Sequence, residues 1–256
     1  MTDLSGKIAL ISGTGGGMGR AAALEFARCG ALVVGCDLNV DGAEETVELV
    51  TKEGGRMRSV QPVDLTSEDG VDRWVADAAG EYGKVDILYN NASVARVGPW
   101  DEMTYEKWRY SLTYELDIVY LSTKAAWPLL IAAGGGVVIN VASVAAHVGA
   151  QFVHQHAHGA AKGGVLAFTK HLMISGAPHG IRAVSISPGL IVTPATQPVI
   201  DAIGPAGVEG MISNIPSRRL GKPEDVAGLA AFLASDAASY INGADIAIDG
   251  GIMAAD

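Results

Sequence analysis

Apolar residues follow two rhythms along this chain. Short, mostly apolar runs, Ile8 to Ile11, Leu32 to Cys36, Val85 to Tyr89, Val137 to Val141 and Ile181 to Ile186, alternate with longer stretches where apolar positions recur every three to four residues. The short runs read as strands buried on both faces, and the longer stretches as amphipathic helices. Helices are expected over Arg20 to Cys29, Asp41 to Glu53, a stretch capped by Ser67 and running to Tyr82, Thr104 to Ala133, Ala157 to Gly176, and Pro223 to Ser235. Two more strands are expected at Arg58 to Pro62 and Asp245 to Ile248. The Pro- and Gly-rich segment from Pro188 to Pro216 reads as irregular. Such alternation predicts an α/β protein of one domain, residues 1-256, with a doubly wound, seven-stranded parallel sheet and helices on both faces. Ligands then belong at the carboxyl ends of the strands.

The chemistry concentrates where the first strand ends. Gly13, Gly15, Gly16, Gly17 and Gly19, interrupted by Thr14 and Met18, lie between the first strand and the first helix. Glycines there let backbone approach a pyrophosphate, and the helix N-terminus offers free N–H groups and the positive end of its dipole. A flexible glycine linker would not be framed by a buried strand and an amphipathic helix. Asp37 follows eighteen residues after Gly19, at the end of the second strand. A carboxylate there can bond both ribose hydroxyls of an adenosine and repel a 2′-phosphate, so the expected cofactor is NAD in a Rossmann-type fold.

Composition narrows the partners. Twenty-eight acidic against eighteen basic residues give a net charge of −10, which disfavours nucleic acid and anionic membrane. A small-molecule substrate is the better expectation. Lys124, Pro128 and the Gly134-Gly135-Gly136 turn interrupt the longest apolar stretch before it reaches the ~20 residues of a membrane span. No signal-peptide pattern opens the sequence, so Cys29 and Cys36 are expected as reduced core thiols in a soluble, cytoplasmic protein.

An ordered set of motifs resembles the short-chain dehydrogenase/reductase family along essentially the whole chain. The set is Gly13-x3-Gly17-x-Gly19, Asp64-Leu65-Thr66, Asn90-Asn91-Ala92, Asn140-Val141-Ala142-Ser143, Pro188-Gly189 with Thr193, and Gly221-Lys222-Pro223-Glu224-Asp225 with Asp249-Gly250-Gly251. The resemblance implies that Gly13, Gly17, Met18 and Gly19 bind the cofactor, with Asp64 and Leu65 at the adenine and Asn90 and Ala92 on the adenosine ribose side. It implies that Lys162 holds the nicotinamide ribose, that Ile191 and Thr193, after Pro188 and Gly189, hold the carboxamide, and that Ser143 bonds the substrate oxygen. It also implies a homotetramer, with which the surplus of apolar positions in the 104–133 and 157–176 helices agrees. A substrate-covering lid is expected at about 190-217, where Met211 and Ile212 would form part of its apolar face.

The departures from the family pattern fall on its reacting groups. The family carries a tyrosine four residues before the lysine; here Lys162 is preceded at that spacing by His158. Seven residues past Trp108, where the family carries a relay asparagine, stands Glu115. A phenol with a reference pKa near ~10 serves as base only beside an ammonium, whereas imidazole near ~6.5 is already poised at neutral pH. Lys162 and a cationic nicotinamide disfavour imidazolium, and Glu115 opposes them, so the two replacements can compensate. His158 admits two other readings. With His154 and His156 it repeats at period two, which on an extended segment makes a face of zinc ligands, although no local Cys, Asp or Glu joins them. It can also be a packing histidine in a site whose chemistry has decayed; His147, His171 and His179 carry no pattern and read as surface or packing residues. The catalytic set is therefore expected to be Ser143, His158, Lys162 and Glu115, without metal, in an NAD(H)-dependent oxidoreductase acting on a small, fairly apolar alcohol or ketone. The competing function is an NAD-binding scaffold or sensor with little turnover.

Overall fold

The computed structural model describes residues 2–149 and 153–255. Its seven strands are β1 (Ile8–Ser12), β2 (Leu32–Cys36), β3 (Arg56–Val60), β4 (Ile87–Asn90), β5 (Gly136–Val141), β6 (Ile181–Pro188) and β7 (Asp245–Ile248). They form one parallel sheet in the order β3-β2-β1-β4-β5-β6-β7, as the alternating pattern predicts. The crossover connections place helices on both faces, each covering its own apolar cluster. One cluster joins Phe26 of α1 (Gly17–Arg28) to Val226 and Ala230 of α8 (Pro223–Ala234). The other joins Trp74 of α3 (Glu68–Tyr82) to Leu130 and Val165.

Local chemistry sets several boundaries. Asn39 and Ser67 accept hydrogen bonds from the N–H groups of Gly42 and Gly70, starting α2 (Val40–Lys52) and α3. Helix α1 begins three residues before the expected Arg20, at Gly17, whose φ of 52° turns the chain out of the glycine cluster into the helix. Strands β3 and β4 are each displaced by about two residues from the expected spans, within the usual uncertainty of element ends.

The stretch from Thr104 to Ala133 is helical as expected, with α4 (Tyr105–Leu112) and α5 (Ile118–Ala132) joined by a π-helical turn over Thr113–Asp117. One expectation is corrected. The segment from Pro188 to Pro216 is not irregular throughout, since it holds α7 (Gln197–Ser213). Gly204, at φ 71°, and Pro205 kink that helix and mask its period in the sequence. No described helix is long and apolar enough to cross a membrane.

Candidate active site and nucleotide cradle

The carboxyl ends of β1 and β2 meet at the glycine cluster. The Asp37 carboxylate accepts from the Gly15 N–H at 2.7 Å and the Asn39 N–H at 2.8 Å. Among the described residues no lysine or arginine forms an ion pair with it. A side chain on Gly19 would place its Cβ 1.9 Å from the Gly13 carbonyl oxygen, so the turn closes only on glycine. Gly16 caps α1 without a side-chain bond and no acidic residue sits in the first turn, leaving N–H groups for an anion. Behind the turn, Arg20 donates to Gly15 O, Gly42 O and Glu45, and Asn91 Nδ2 donates to Ser12 O at 3.0 Å. Thr193 lies against Gly17, so the segment after β6 folds over the cradle. These features fit a dinucleotide.

The other expected cofactor residues contribute unequally. Asp64 Oδ1 already accepts from Thr66 N and Oγ1 at 2.9 and 2.8 Å. Asn90 is buried and its Nδ2 donates to Thr123 Oγ1 and Asn140 Oδ1, while Asn140 Nδ2 donates to Thr169 Oγ1, making a polar brace beneath the site. Leu65 and Ile191 are buried apolar side chains and Met18 packs on the core, so each offers the cleft only backbone groups. Ala92 N donates to Ser12 Oγ, and Gly189 passes close to Asp249. Pro188 ends β6.

Three of the four expected catalytic side chains come together. His158 and Lys162 lie four residues apart on one face of α6 (His156–Gly176). The π-helical turn carries Glu115 inward until its side chain is 1% exposed. Its carboxylate lies 2.8 and 3.0 Å from His158 Nδ1 and 4.0 Å from Lys162 Nζ. Lys162 is buried and donates to Val141 O at 2.9 Å. Burial raises the Glu115 pKa, but the hydrogen bond from His158, the Lys162 charge and a hydrogen bond from Ser93 outweigh it and hold it below the usual carboxylate value. Burial pushes Lys162 below the usual lysine value, while Glu115 pulls it back. An ionised carboxylate only accepts, so Nδ1 carries the hydrogen of this bond and Nε2 is the ring nitrogen left to other partners. The ring is 18% exposed and is the part of the pair that meets solvent.

Ser143 stands apart. It caps the short turn after β5, its hydroxyl accepts from Ala145 N at 3.1 Å, and no hydrogen bond joins it to His158 among the described residues. The zinc alternative loses its geometry: His156 and His158 are helical, so residues two apart point to different sides. Among the described residues no three His, Cys, Asp or Glu side chains gather as a metal site. His154 stacks on His156, which meets Trp100 edge-on. A cavity of about 340 Å³ lies between the turn after Ser143 and the start of α6, lined in part by His147, His154 and His156.

Two features escape sequence reasoning. Ser93 Oγ donates to Glu115 Oε1 at 2.6 Å. His147, read as patternless, is 2.8 Å from the Asp245 carboxylate, which also accepts from Ser185 and Ser187. A lone serine in a loop and a pair 98 residues apart leave no local signal.

A family profile described as Enoyl-(Acyl carrier protein) reductase matches residues 13–253. The D-threitol dehydrogenase of Mycolicibacterium smegmatis is 37% identical over 97% of this chain and 93% of that protein. The cyclohexanol dehydrogenase of an Acinetobacter species is 35% identical over 95% of this chain and 94% of its own. A solved 7α-hydroxysteroid dehydrogenase, complexed with NADH and 7-oxo glycochenodeoxycholic acid, superposes with a TM-score of 0.92 at 32% identity, covering 98% of this chain and 95% of that one. A solved relative from Agrobacterium tumefaciens with bound NADP has a TM-score of 0.88 at 33% identity, over 99% of this chain and 98% of that one. With its seven-stranded parallel sheet, its glycine cradle and these matches along nearly its whole length, the chain belongs to the short-chain dehydrogenase/reductase family.

Proposed function

We propose that this protein binds NAD and interconverts a small, fairly apolar secondary alcohol and its ketone, with His158 as the proton acceptor. The observation that carries this reading is the contact of the buried Glu115 carboxylate with His158 Nδ1, which leaves Nε2 as a base at the open side of the pair. In this reading His158 occupies the position of the family tyrosine and Glu115 that of the relay asparagine. NAD, when bound, supplies the hydride acceptor. His158 Nε2 takes the hydroxyl proton, Glu115 stabilises the imidazolium that forms, and Lys162 keeps that carboxylate ionised and faces the nicotinamide ribose. Ser143 turns its hydroxyl to the substrate oxygen.

The cofactor preference rests on Asp37, whose carboxylate at the ribose end of the cradle repels a 2′-phosphate. The substrate class rests on the loop from Ser93 to Trp100. Val94, Val97 and Trp100 are exposed apolar side chains there, and Gly98 N donates to His154 O, which ties the loop to the start of α6. The kinked α7, with its half-buried Ile203, Met211 and Ile212, serves as the lid. Tyr120 and Ile131 on α5 and Ile174 on α6 are exposed, and they are the surfaces through which a homotetramer would pack. The test is formation of NADH, followed by absorbance, from NAD and a panel of secondary alcohols. Turnover supports the reading; tight NAD binding with no turnover on any alcohol or ketone replaces it with the scaffold or sensor.

A further inference from the structure

A buried imidazole–carboxylate pair can hold its proton on either partner. In the low dielectric of a core, the neutral arrangement, with the proton on oxygen, competes with the ion pair. What decides is the set of groups that stabilise charge on the carboxylate. Among the described residues the titratable groups in contact with Glu115 are His158 and Lys162, both from α6. Lys162 stands 4.0 Å from Oε1 and gives a hydrogen bond to Val141 O instead. Among the described residues the one uncharged donor to the carboxylate is Ser93, 2.6 Å from Oε1, the same oxygen that lies 2.8 Å from His158 Nδ1.

The loop after β4 holds this donor in place. Ala92 N bonds Ser12 Oγ on one side of Ser93, and Val94 N bonds Tyr114 O on the other at 3.3 Å. Tyr114 directly precedes Glu115 in the π-helical turn, so donor and acceptor are tied together by main chain. Ser93 is itself exposed, which makes its hydroxyl the point where the buried carboxylate meets the open side of the site.

We propose that Ser93 is a positioning residue that keeps the proton of the pair on His158 and off Glu115. The inference rests on His158 as the base. During oxidation the alcohol O–H bond breaks and an N–H bond forms at Nε2, while the hydride leaves carbon for NAD; ketone, NADH and an imidazolium result. The Ser93 hydroxyl disperses charge on Oε1 and makes the carboxylate the weaker base, so the Nδ1 proton stays on nitrogen. The imidazolium then returns its Nε2 proton to water once product has left, and the pair is restored.

The test compares Ser93→Ala and Ser93→Thr with the parent. Without the hydroxyl the carboxylate becomes more basic, so the pair holds a proton to higher pH. The imidazole NMR titration of 15N-histidine-labelled protein, without cofactor, is expected to shift upward by about half a unit in Ser93→Ala and to return in Ser93→Thr. The acid limb of alcohol oxidation is expected to move the same way, costing about threefold in kcat/KM on the acid side of the limb and little above it. An unmoved titration in folded Ser93→Ala, or an equal shift in both variants, overturns the proposal. A parent without turnover whose titration still shifts in Ser93→Ala would sink the oxidoreductase reading and leave the role of Ser93 in the pair standing.

Discussion

Replacing Glu115 with glutamine removes one charge from the centre of the site and keeps its shape. The amide oxygen can still accept from His158 Nδ1 and from Ser93, so the change keeps those contacts in weakened form and takes away the electrostatic link to Lys162. Both side chains of that link are almost fully buried, at 1% and 3% exposure, so solvent screens it little. At 4.0 Å and an effective dielectric of ~20, the attraction is about 4 kcal/mol. Relief of the carboxylate's own burial cost offsets part of this, and the expected loss at neutral pH is about 2–4 kcal/mol. For a chain of this size that corresponds to a fall in Tm of roughly 5–15 °C. The sign with pH follows from both shifts. The lowered Glu115 pKa contributes stability above the ordinary carboxylate range, and this is lost as pH falls through the depressed value. Burial of Lys162 costs stability while it is charged, and that cost fades as pH rises from its depressed value toward the ordinary lysine value. The gap between parent and Glu115→Gln should therefore be widest near neutrality and narrow in acid and in alkali. Urea unfolding followed by circular dichroism from pH 4 to 10, at one protein concentration, measures it. The double variant with Lys162→Met should lose less than the sum of the single losses. A loss under ~0.5 kcal/mol at pH 7, or a gap flat with pH, would refute the ion pair.

Asp37→Ala should narrow a preference for NAD over NADP of at least tenfold, about 1.4 kcal/mol, chiefly by weakening NAD; calorimetric titration giving equal affinities in the parent rejects the assignment. Gly19→Ala should weaken NAD by more than tenfold, because the new Cβ would sit 1.9 Å from Gly13 O and must displace the turn. Unchanged NAD affinity in that variant would mean the turn is not what holds the pyrophosphate.

The parts legible in the sequence are those whose physics is local. β1, the glycine cluster and α1 announce themselves because a strand buried on both faces needs an unbroken apolar run and the turn needs glycines within a few residues. The caps at Asn39 and Ser67 act over three residues. The spacing of His158 and Lys162 also survives, since a helix fixes where residues four apart lie. The π-helical turn at Thr113–Asp117 was not legible: one widened turn shifts the period too little to mark a stretch apolar on more than one side. Helix α7 was hidden by its own kink at Gly204 and Pro205. Ser93 and the His147–Asp245 pair were illegible for a different reason, because their partners are brought near only by the tertiary fold, Glu115 by the helical turn packed on the loop after β4 and Asp245 by the strand order of the sheet.

The most direct test of the account is replacement of His158 by phenylalanine, with NADH formation and NAD binding measured on the same preparation. If His158 Nε2 takes the alcohol proton, the variant should bind NAD as the parent does and lose roughly 10²–10⁴-fold in kcat. His158→Tyr, which puts a phenol one helical turn from Lys162, should recover part of that rate. A His158→Phe variant that binds NAD and turns over alcohol as fast as the parent would show that the proton leaves through another group, and the account would be wrong at its centre.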